Sequence, residues 1–262
     1  MHSHIQIPNA VLQNFRDESD REKKVWYLDL STGEIQKKPA RRLGTAKNYY
    51  SGTGEAFWSQ CIESPLGNLI KKVRSFCEGD SQAISITPND KEIAIRYIKA
   101  AAVRSNLSYE AMRQASITAD MFSEQNNHDA LSFLGMSATG EFDQIFENLS
   151  VTVLANRTDR HLVVPRNCYY CVSRQEMPNF VVPISSRSAF LLLSTKQLNE
   201  QDNGFALVDH PVQVEMLNIH ALKYEYMFNG AFVASDCRVE LEFLKRFREE
   251  NIEALNALRN CI

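Results

Sequence analysis

The pattern of hydrophobic residues changes from helical to strand-like near residue 149, and this change most constrains the fold. Five short runs after that point are rich in β-branched and aromatic residues: LSVTVLAN, HLVV, NCYYCVS, FVVPIS and SAFLLLSTK. The polar segments between them are too short for crossover helices, so neighbouring strands are expected to run antiparallel. The sequence therefore predicts one mainly antiparallel sheet over residues 149–195, joined to an N-terminal hairpin or packed near it.

The residues before this sheet are mostly helical. Pro8 begins a short helix with an apolar face, and KVWYLDL followed by STGEIQ indicates a β-hairpin. Apolar residues then recur every three or four positions from Trp58 to Val73, which predicts a helix with a kink or a break at Pro65 and Gly67. Residues 88–147 are expected to form a helical stretch that acts as a scaffold or lid.

The chain ends in a charged amphipathic helix. Its apolar positions share one face: Leu241, Leu244, Phe247, Ile252, Leu255 and Leu258. This face could cover the sheet or pair with a second copy in a homodimer, and packing within the chain is favoured. The prediction is an α+β fold with a mainly antiparallel sheet, a helical middle stretch and a C-terminal amphipathic helix. We expect a single domain over residues 1–262, divided into 1–80, 88–147 and 149–262.

Composition restricts the class of protein more than its chemistry. A chain of 262 residues with 44% hydrophobic residues is long enough to bury a core without disulfides or metals. The net charge of −3 gives no general reason to expect a nucleic-acid binder, although a local basic patch is compatible with it. No apolar run approaches the length of a membrane span, and the N-terminus lacks the apolar core of a signal peptide. We therefore expect a cytoplasmic protein without a membrane partner.

Among the six cysteines, only Cys168 and Cys171 have a spacing used by metal or redox sites. A structural zinc site needs a second such pair or a Cys/His partner, and none accompanies this one. In a regular strand, residues three apart point to opposite faces. The sequence therefore predicts neither a metal nor a disulfide there, and it specifies no cofactor.

Three polar residues stand out from their surroundings. Glu63 lies at the expected kink, where a carboxylate could be a base or ligand, although solvated helix glutamates are far commoner. Arg187 follows PISS at a strand edge, and its guanidinium suits an anion or phosphate as well as a structural acid. Asn218 lies among apolar neighbours in MLNIHALKY, so its amide needs hydrogen-bond partners, which a cap, a polar network or a substrate could supply.

Several segments carry, in order along the chain, a recognisable set of motifs: HIQIPNAVLQNF, KVWYLDLSTG, AKNYYS, CIESPLGNLIKKV, FVVPISSRSAFLLL and LNIHALKYEYMFNGAFVAS. Together they resemble a largely bacterial family known as domain of unknown function 4238. The opening run is similar to the family signature H-Y-[IV]-P-Q-x-[YL]-L-x-x-F, and CIESPLGNLIKKV places Glu63 on a family glutamate. The resemblance covers almost the whole chain.

The resemblance implies a site made of His4, Glu63, Arg187 and Asn218. His4 lies one position away from the family histidine; it could serve acid/base chemistry, or it could be a surface residue near the chain terminus. Arg166 stands where the family has an aspartate, and arginine can neither accept a proton nor bind a cation at neutral pH. If the family aspartate is a metal ligand or a catalytic base, this protein lacks that function.

Two classes of function remain open at this point. In the first, the protein is a hydrolase or nuclease-like effector of a bacterial defence or toxin system, with nucleic acid or a nucleotide as its ligand. In the second, it is a non-catalytic binding or regulatory module with a degenerate site. Polar motifs in distant segments favour the first class, whereas the lack of a metal-ligand cluster in the sequence favours the second.

Overall fold

The computed structural model describes residues 2–4, 7–47, 49–79, 84–103, 149–172, 179–194 and 205–259. The N-terminal part contains strand β1 (His2–His4), helix α1 (Asn9–Leu12) and a 3-10 turn (Gln13–Phe15). A hairpin of β2 (Lys24–Asp29) and β3 (Ile35–Pro39) follows, then a second 3-10 turn (Ala40–Arg42) and β4 (Thr45–Lys47), which pairs antiparallel with β1. Gly33 has φ of +74° in the hairpin turn, a conformation that glycine adopts without strain.

Three helices pack beside this part of the chain. Helix α2 (Gly52–Phe57) begins where the Ser51 hydroxyl accepts a hydrogen bond from the Gly54 backbone. It continues through a π-helical segment (Trp58–Glu63) into α3 (Ser64–Glu78), and α4 (Pro88–Val103) packs against α3. The irregular segment lies directly before Pro65, which occupies the first turn of α3, where proline needs no hydrogen-bonded N–H.

The larger sheet has five strands: β5 (Leu149–Asn156), β7 (Tyr170–Cys171), β8 (Phe180–Ser185), β9 (Ser188–Ser194) and β10 (Phe205–Val208). Their order in the sheet is β10-β5-β9-β8-β7. All pairs are antiparallel except β10 with β5, which run parallel. A two-residue turn joins β8 to β9, as the short SSR connection predicts.

A second sheet joins the N-terminal hairpin to β6 (Val164–Pro165) and β11 (Phe232–Ser235). Its four strands have the order β3-β2-β11-β6, and all of its pairs are antiparallel. The expectation of one sheet over residues 149–195 is therefore wrong for β6. This strand leaves the five-stranded sheet because Val164 and Pro165 pair with β11, which itself lies beside the N-terminal hairpin.

The C-terminal part consists of α5 (Pro211–Met227), α6 (Arg238–Glu250) and α7 (Ile252–Leu258). The predicted amphipathic helix is thus divided at Asn251. Leu241, Leu244 and Leu255 are buried against α5 and the strands, so packing within the chain accounts for this apolar face.

The sheets are covered on both faces, which produces two hydrophobic clusters. Neighbouring residues of one strand enter different clusters: Val153 packs with α3 and α4, whereas Leu154 packs with α5. The predicted α+β class with mainly antiparallel sheets is confirmed. Of the helical middle stretch, α4 is seen, and residues 104–148 lie outside the described part. None of the helices described is long and apolar enough to cross a membrane.

Candidate functional site

Three connections meet at one end of the sheets and position a cluster of polar side chains. They are the loop of residues 157–163 between β5 and β6, the turn at Ser186 and Arg187, and the junction of β11 with α6 at Asp236. The loop is tied to the turn because the Leu162 N–H donates to the Ser186 carbonyl at 3.0 Å. The strand ends thus bring chain segments together that are distant in sequence.

Asn156, the last residue of β5, fixes the shape of the loop. Its buried side-chain Nδ2 donates to the Arg160 carbonyl at 2.7 Å and to the Ser186 carbonyl at 3.3 Å. Its Oδ1 accepts from the Thr158 hydroxyl at 2.8 Å and from the Thr158 backbone at 3.0 Å. Each of these bonds either lies within the loop of residues 157–163 or joins Asn156 to the turn at Ser186. They therefore hold the residues that follow Asn156 in a defined position.

His161 lies between an acid and an arginine. Its Nδ1 is 2.8 Å from Asp236 Oδ1, and its Nε2 is 3.2 Å from a terminal nitrogen of Arg187. An arginine can only donate, so Nε2 must accept this bond, and the ring proton must lie on Nδ1 and be donated to Asp236. The acid therefore fixes one tautomer, in which the Nε2 lone pair points to Arg187.

Arg187 also supports the loop. One terminal nitrogen donates to the Thr158 carbonyl, and the same nitrogen lies 3.4 Å from the Arg160 carbonyl. Together with the bond to His161, these contacts use at most three of the five N–H donors of a guanidinium. Arg187 also lines the adjacent cavity, so its remaining donors can serve a ligand.

A buried carboxylate holds the segment that carries His161. Glu240 is 2% exposed and accepts two hydrogen bonds of 2.8 Å from Arg160, one on each oxygen. Its Oε1 also accepts the His161 backbone N–H at 3.0 Å. Arg160 pairs in addition with Glu215. The hydrogen bonds that Arg160 donates to Glu240 raise the pKa of Arg160 above its usual value, so the guanidinium stays charged.

Asn218 completes this support from α5. Its Oδ1 accepts the Val163 N–H at 3.0 Å, and its Nδ2 donates to the His161 carbonyl at 2.8 Å and to Glu240 at 3.4 Å. The side chain is 1% exposed, so it cannot contact a ligand in this conformation. Among the alternatives open from the sequence, the polar network is the one that the structure shows.

A cavity of about 360 Å³ opens beside Arg187 and Asp236. Helix α3 contributes its opposite wall through Gly67, Ile70, Lys71 and Arg74, which recur at helical spacing. The segment after α1 contributes further polar residues, among them Asn14, whose Oδ1 accepts from Arg74 at 2.9 Å. The cavity thus lies between the N-terminal helices and the connections that carry Arg187 and Asp236. His161 contacts both of these residues but is not among those that line the cavity.

The predicted site residues have different positions relative to this cavity. Arg187 lines it, and Asn218 lies behind it, and both contact His161. Glu63 is half-buried and lies one turn before Gly67 on the same face of the helix, but it is not among the residues that line the cavity. The backbone of His4 pairs with Thr45 in β1, and its side chain lies outside the described part.

Sequence reasoning missed His161, Asp236 and Glu240. The sequence predicts a strand over HLVV, whereas His161 in the structure belongs to the loop before β6. The dense polar run NRTDRH between two apolar segments was the available signal, whereas Asp236 and Glu240 lie in a stretch that resembles an ordinary charged helix start. In the part of the chain that the structure describes, no group of three His, Cys, Asp or Glu side chains is placed to hold a metal.

The model of a family described as "Protein of unknown function (DUF4238)" matches residues 4–224. The chain belongs to this family. The matched range includes His161, Arg187 and Asn218, whereas Asp236 and Glu240 lie beyond it. Arg166, which the resemblance places at a family aspartate, donates its backbone N–H to the Phe232 carbonyl and does not line the described cavity. No curated protein and no solved structure matches the chain.

A second buried carboxyl group lies in α5, away from the cavity. Glu225 has no exposed surface, and its Oε1 accepts the Asn167 N–H at 2.8 Å. A Cβ added at Gly230 would lie 1.5 Å from Glu225 Oε2, so the chain approaches this carboxyl group closely. Burial raises the pKa of Glu225 to about 8, and the Asn167 hydrogen bond opposes this only in part. The group is therefore largely protonated at neutral pH.

Proposed function

We propose that the protein is a cytoplasmic hydrolase in which His161 is the general base and Asp236 orients it. The observation that carries this proposal is the distance of 2.8 Å between His161 Nδ1 and Asp236 Oδ1, in a pair whose acid lines the cavity. The contact of Nε2 with Arg187 favours the tautomer in which Nε2 carries no proton. A carboxylate that fixes the tautomer of a histidine is a recurring arrangement for proton transfer. The side chains of His161 and Asp236 are 24% and 18% exposed, so water can reach them.

The chemistry follows from the two ring nitrogens. His161 Nε2 would take a proton from a water molecule, and the water oxygen would form the new bond to the substrate centre. The imidazolium would then return that proton to the leaving oxygen as the old bond breaks, while Asp236 stabilises the positive ring. Arg187 must first move from Nε2, and an anionic substrate that binds the guanidinium would produce this movement.

The second candidate function is a non-catalytic binding module. It is favoured by the contact of 3.2 Å between Arg187 and Nε2, because this bond uses the lone pair that a base needs. The two candidates share the cavity and differ in whether His161 transfers a proton. A comparison of binding with turnover therefore separates them.

The test is a turnover assay on esters, nucleotides, RNA and DNA, with products identified by mass spectrometry. We expect the wild type to hydrolyse at least one of these substrates and His161→Gln to lower kcat by roughly 10²- to 10⁴-fold. His220→Gln is the matched control, since His220 lies on α5 and does not line the described cavity. Glu63→Gln tests the remaining candidate acid. No turnover of any of these substrates, or equal rates for the wild type and His161→Gln, would refute the hydrolase and favour the non-catalytic binding module.

A further inference from the structure

The cavity beside His161 is strongly cationic although the whole chain has a net charge of −3. Its cationic side chains are Arg16, Lys71, Arg74 and Arg187, and its carboxylates are Glu18 and Asp236. Four positive and two negative groups give a formal excess of two positive charges. Glu18 is also paired with Lys23 at 3.2 Å, and Asp236 is hydrogen-bonded to His161. The local charge is thus opposite to that of the protein as a whole.

These cations are gathered by the fold. Arg16 follows the first 3-10 turn, Lys71 and Arg74 lie on α3, and Arg187 lies in the β8–β9 turn. Within the described ranges, Arg16, Lys71 and Arg187 form no salt bridge with a carboxylate. The cations that line the cavity outnumber its carboxylates and repel one another, so an anion that enters the cavity lowers this repulsion.

We infer that this cavity binds the terminal phosphate of a small phosphomonoester, such as a mononucleotide. A phosphomonoester carries a charge near −2 at neutral pH, which matches the charge excess of the cavity, whereas a carboxylate or a phosphodiester carries only −1. A volume of about 360 Å³ lies at the lower end of the range for small-ligand clefts and suits one such molecule better than a nucleic-acid strand.

Arginine is the residue that matches the shape of such a ligand. Arg187 has donors left after its contacts with the loop, and two parallel N–H groups of a guanidinium can contact two phosphate oxygens. The ligand would draw Arg187 towards the cavity and free Nε2 of His161. This inference rests on the proposed function, because it names the substrate class of the same site.

The experiment measures binding to the full chain by isothermal titration calorimetry at physiological salt. The probes are inorganic phosphate, adenosine 5′-monophosphate, a dinucleoside monophosphate that carries only a diester, and a short single-stranded DNA. We expect the first two to bind and compete, and the diester to bind at least about tenfold more weakly, since it carries half the charge. Lys71→Gln and Arg74→Gln should each weaken the binding of adenosine monophosphate by about 5- to 20-fold.

Lys245→Gln is the matched control, because it removes the same charge from an exposed position on α6. This variant should bind adenosine monophosphate like the wild type. The inference is overturned if phosphate and adenosine monophosphate both fail to bind at about 10 mM, or if Lys245→Gln weakens binding as much as Lys71→Gln. Binding of the DNA with no binding of the monoester would also overturn it and indicate a nucleic-acid ligand.

The two proposals fail in distinguishable ways. If the protein binds adenosine monophosphate with these variant effects but hydrolyses nothing, the proposed hydrolase function is refuted and the proposed binding of a phosphomonoester stands. If turnover is lost in His161→Gln but the protein binds neither phosphate nor the monoester, the proposed phosphomonoester ligand is refuted and the role of His161 as general base stands. Circular dichroism of each variant identifies a loss of binding that arises from unfolding.

Discussion

Replacement of Glu240 by glutamine should destabilise the protein strongly, because this carboxylate joins three segments around His161. It accepts two hydrogen bonds of 2.8 Å from Arg160 and one of 3.0 Å from the His161 backbone, and it is 2% exposed. Loss of one partner from a buried ion pair costs about 3 to 5 kcal/mol. Arg160 keeps Glu215 as a second partner, so we expect the lower end, about 3 kcal/mol.

Glu242 provides a control on the same helix. It also pairs with an arginine, since Arg238 Nε lies 2.9 Å from Glu242 Oε1, but the two side chains are 59% and 48% exposed. Exposed pairs at this spacing contribute about 0.3 to 0.5 kcal/mol, so Glu242→Gln should have little effect. The two variants make the same chemical change two residues apart and differ mainly in burial.

Urea denaturation followed by circular dichroism measures both free energies of unfolding. In a thermal scan, a loss of 3 kcal/mol corresponds to a decrease of about 6 to 12 °C in Tm for a chain of this size. A difference of less than about 1 kcal/mol between Glu240→Gln and Glu242→Gln would refute the reasoning, because burial would then not determine the strength of these pairs.

Three further predictions concern other parts of the molecule. Burial raises the pKa of Glu225 from 4.5 to about 8, so between these pH values the folded state holds a proton that the unfolded chain releases. The free energy of unfolding should therefore fall as the pH rises from 4.5 to 8. Urea titrations at several pH values should show that this decline is smaller in Glu225→Gln by on the order of 2 to 4 kcal/mol. Burial alone would raise the pKa of Asp17, but hydrogen bonds from Lys37, Ser19 and Trp26 outweigh this effect and hold the pKa well below 3.8. Asp17→Asn should therefore cost about 1 to 2 kcal/mol at neutral pH and progressively less as the pH falls below 3.8, and an equal cost at all pH values would contradict this. Elemental analysis should find no stoichiometric zinc, and a zinc ion lost in Cys168→Ser would refute that expectation.

Local periodicity was sufficient to predict most of the fold. The alternation in residues 149–156 and 188–194 places neighbouring side chains in different clusters, as strands covered on both faces require. The pairing of β6 with β11 could not be predicted in this way, because a two-residue strand has no periodicity and its partner lies some seventy positions later. Similarly, the backbone at Cys168 has φ of +69°, and only Tyr170 and Cys171 continue as a strand.

The candidate site was predictable only in part, for a related reason. Arg187 and Asn218 stood out because each breaks a local pattern, one at a strand edge and the other among apolar residues. His161 and Asp236 break no such pattern. They form a pair only in the folded protein, where atoms of two residues 75 positions apart in sequence lie 2.8 Å from each other. Pairs of this kind depend on tertiary structure, which a single sequence does not reveal through spacing.

The most direct test of this account is the protonation site of His161 in the folded protein. Two-bond proton–nitrogen correlation spectra of histidine-labelled protein, with His161→Gln used for assignment, distinguish the two ring nitrogens. The hydrogen bonds to Asp236 and from Arg187 predict a proton on Nδ1 and no proton on Nε2, whose lone pair accepts from Arg187. A proton on Nε2 and none on Nδ1 would contradict both hydrogen bonds and remove the basis for His161 as a general base.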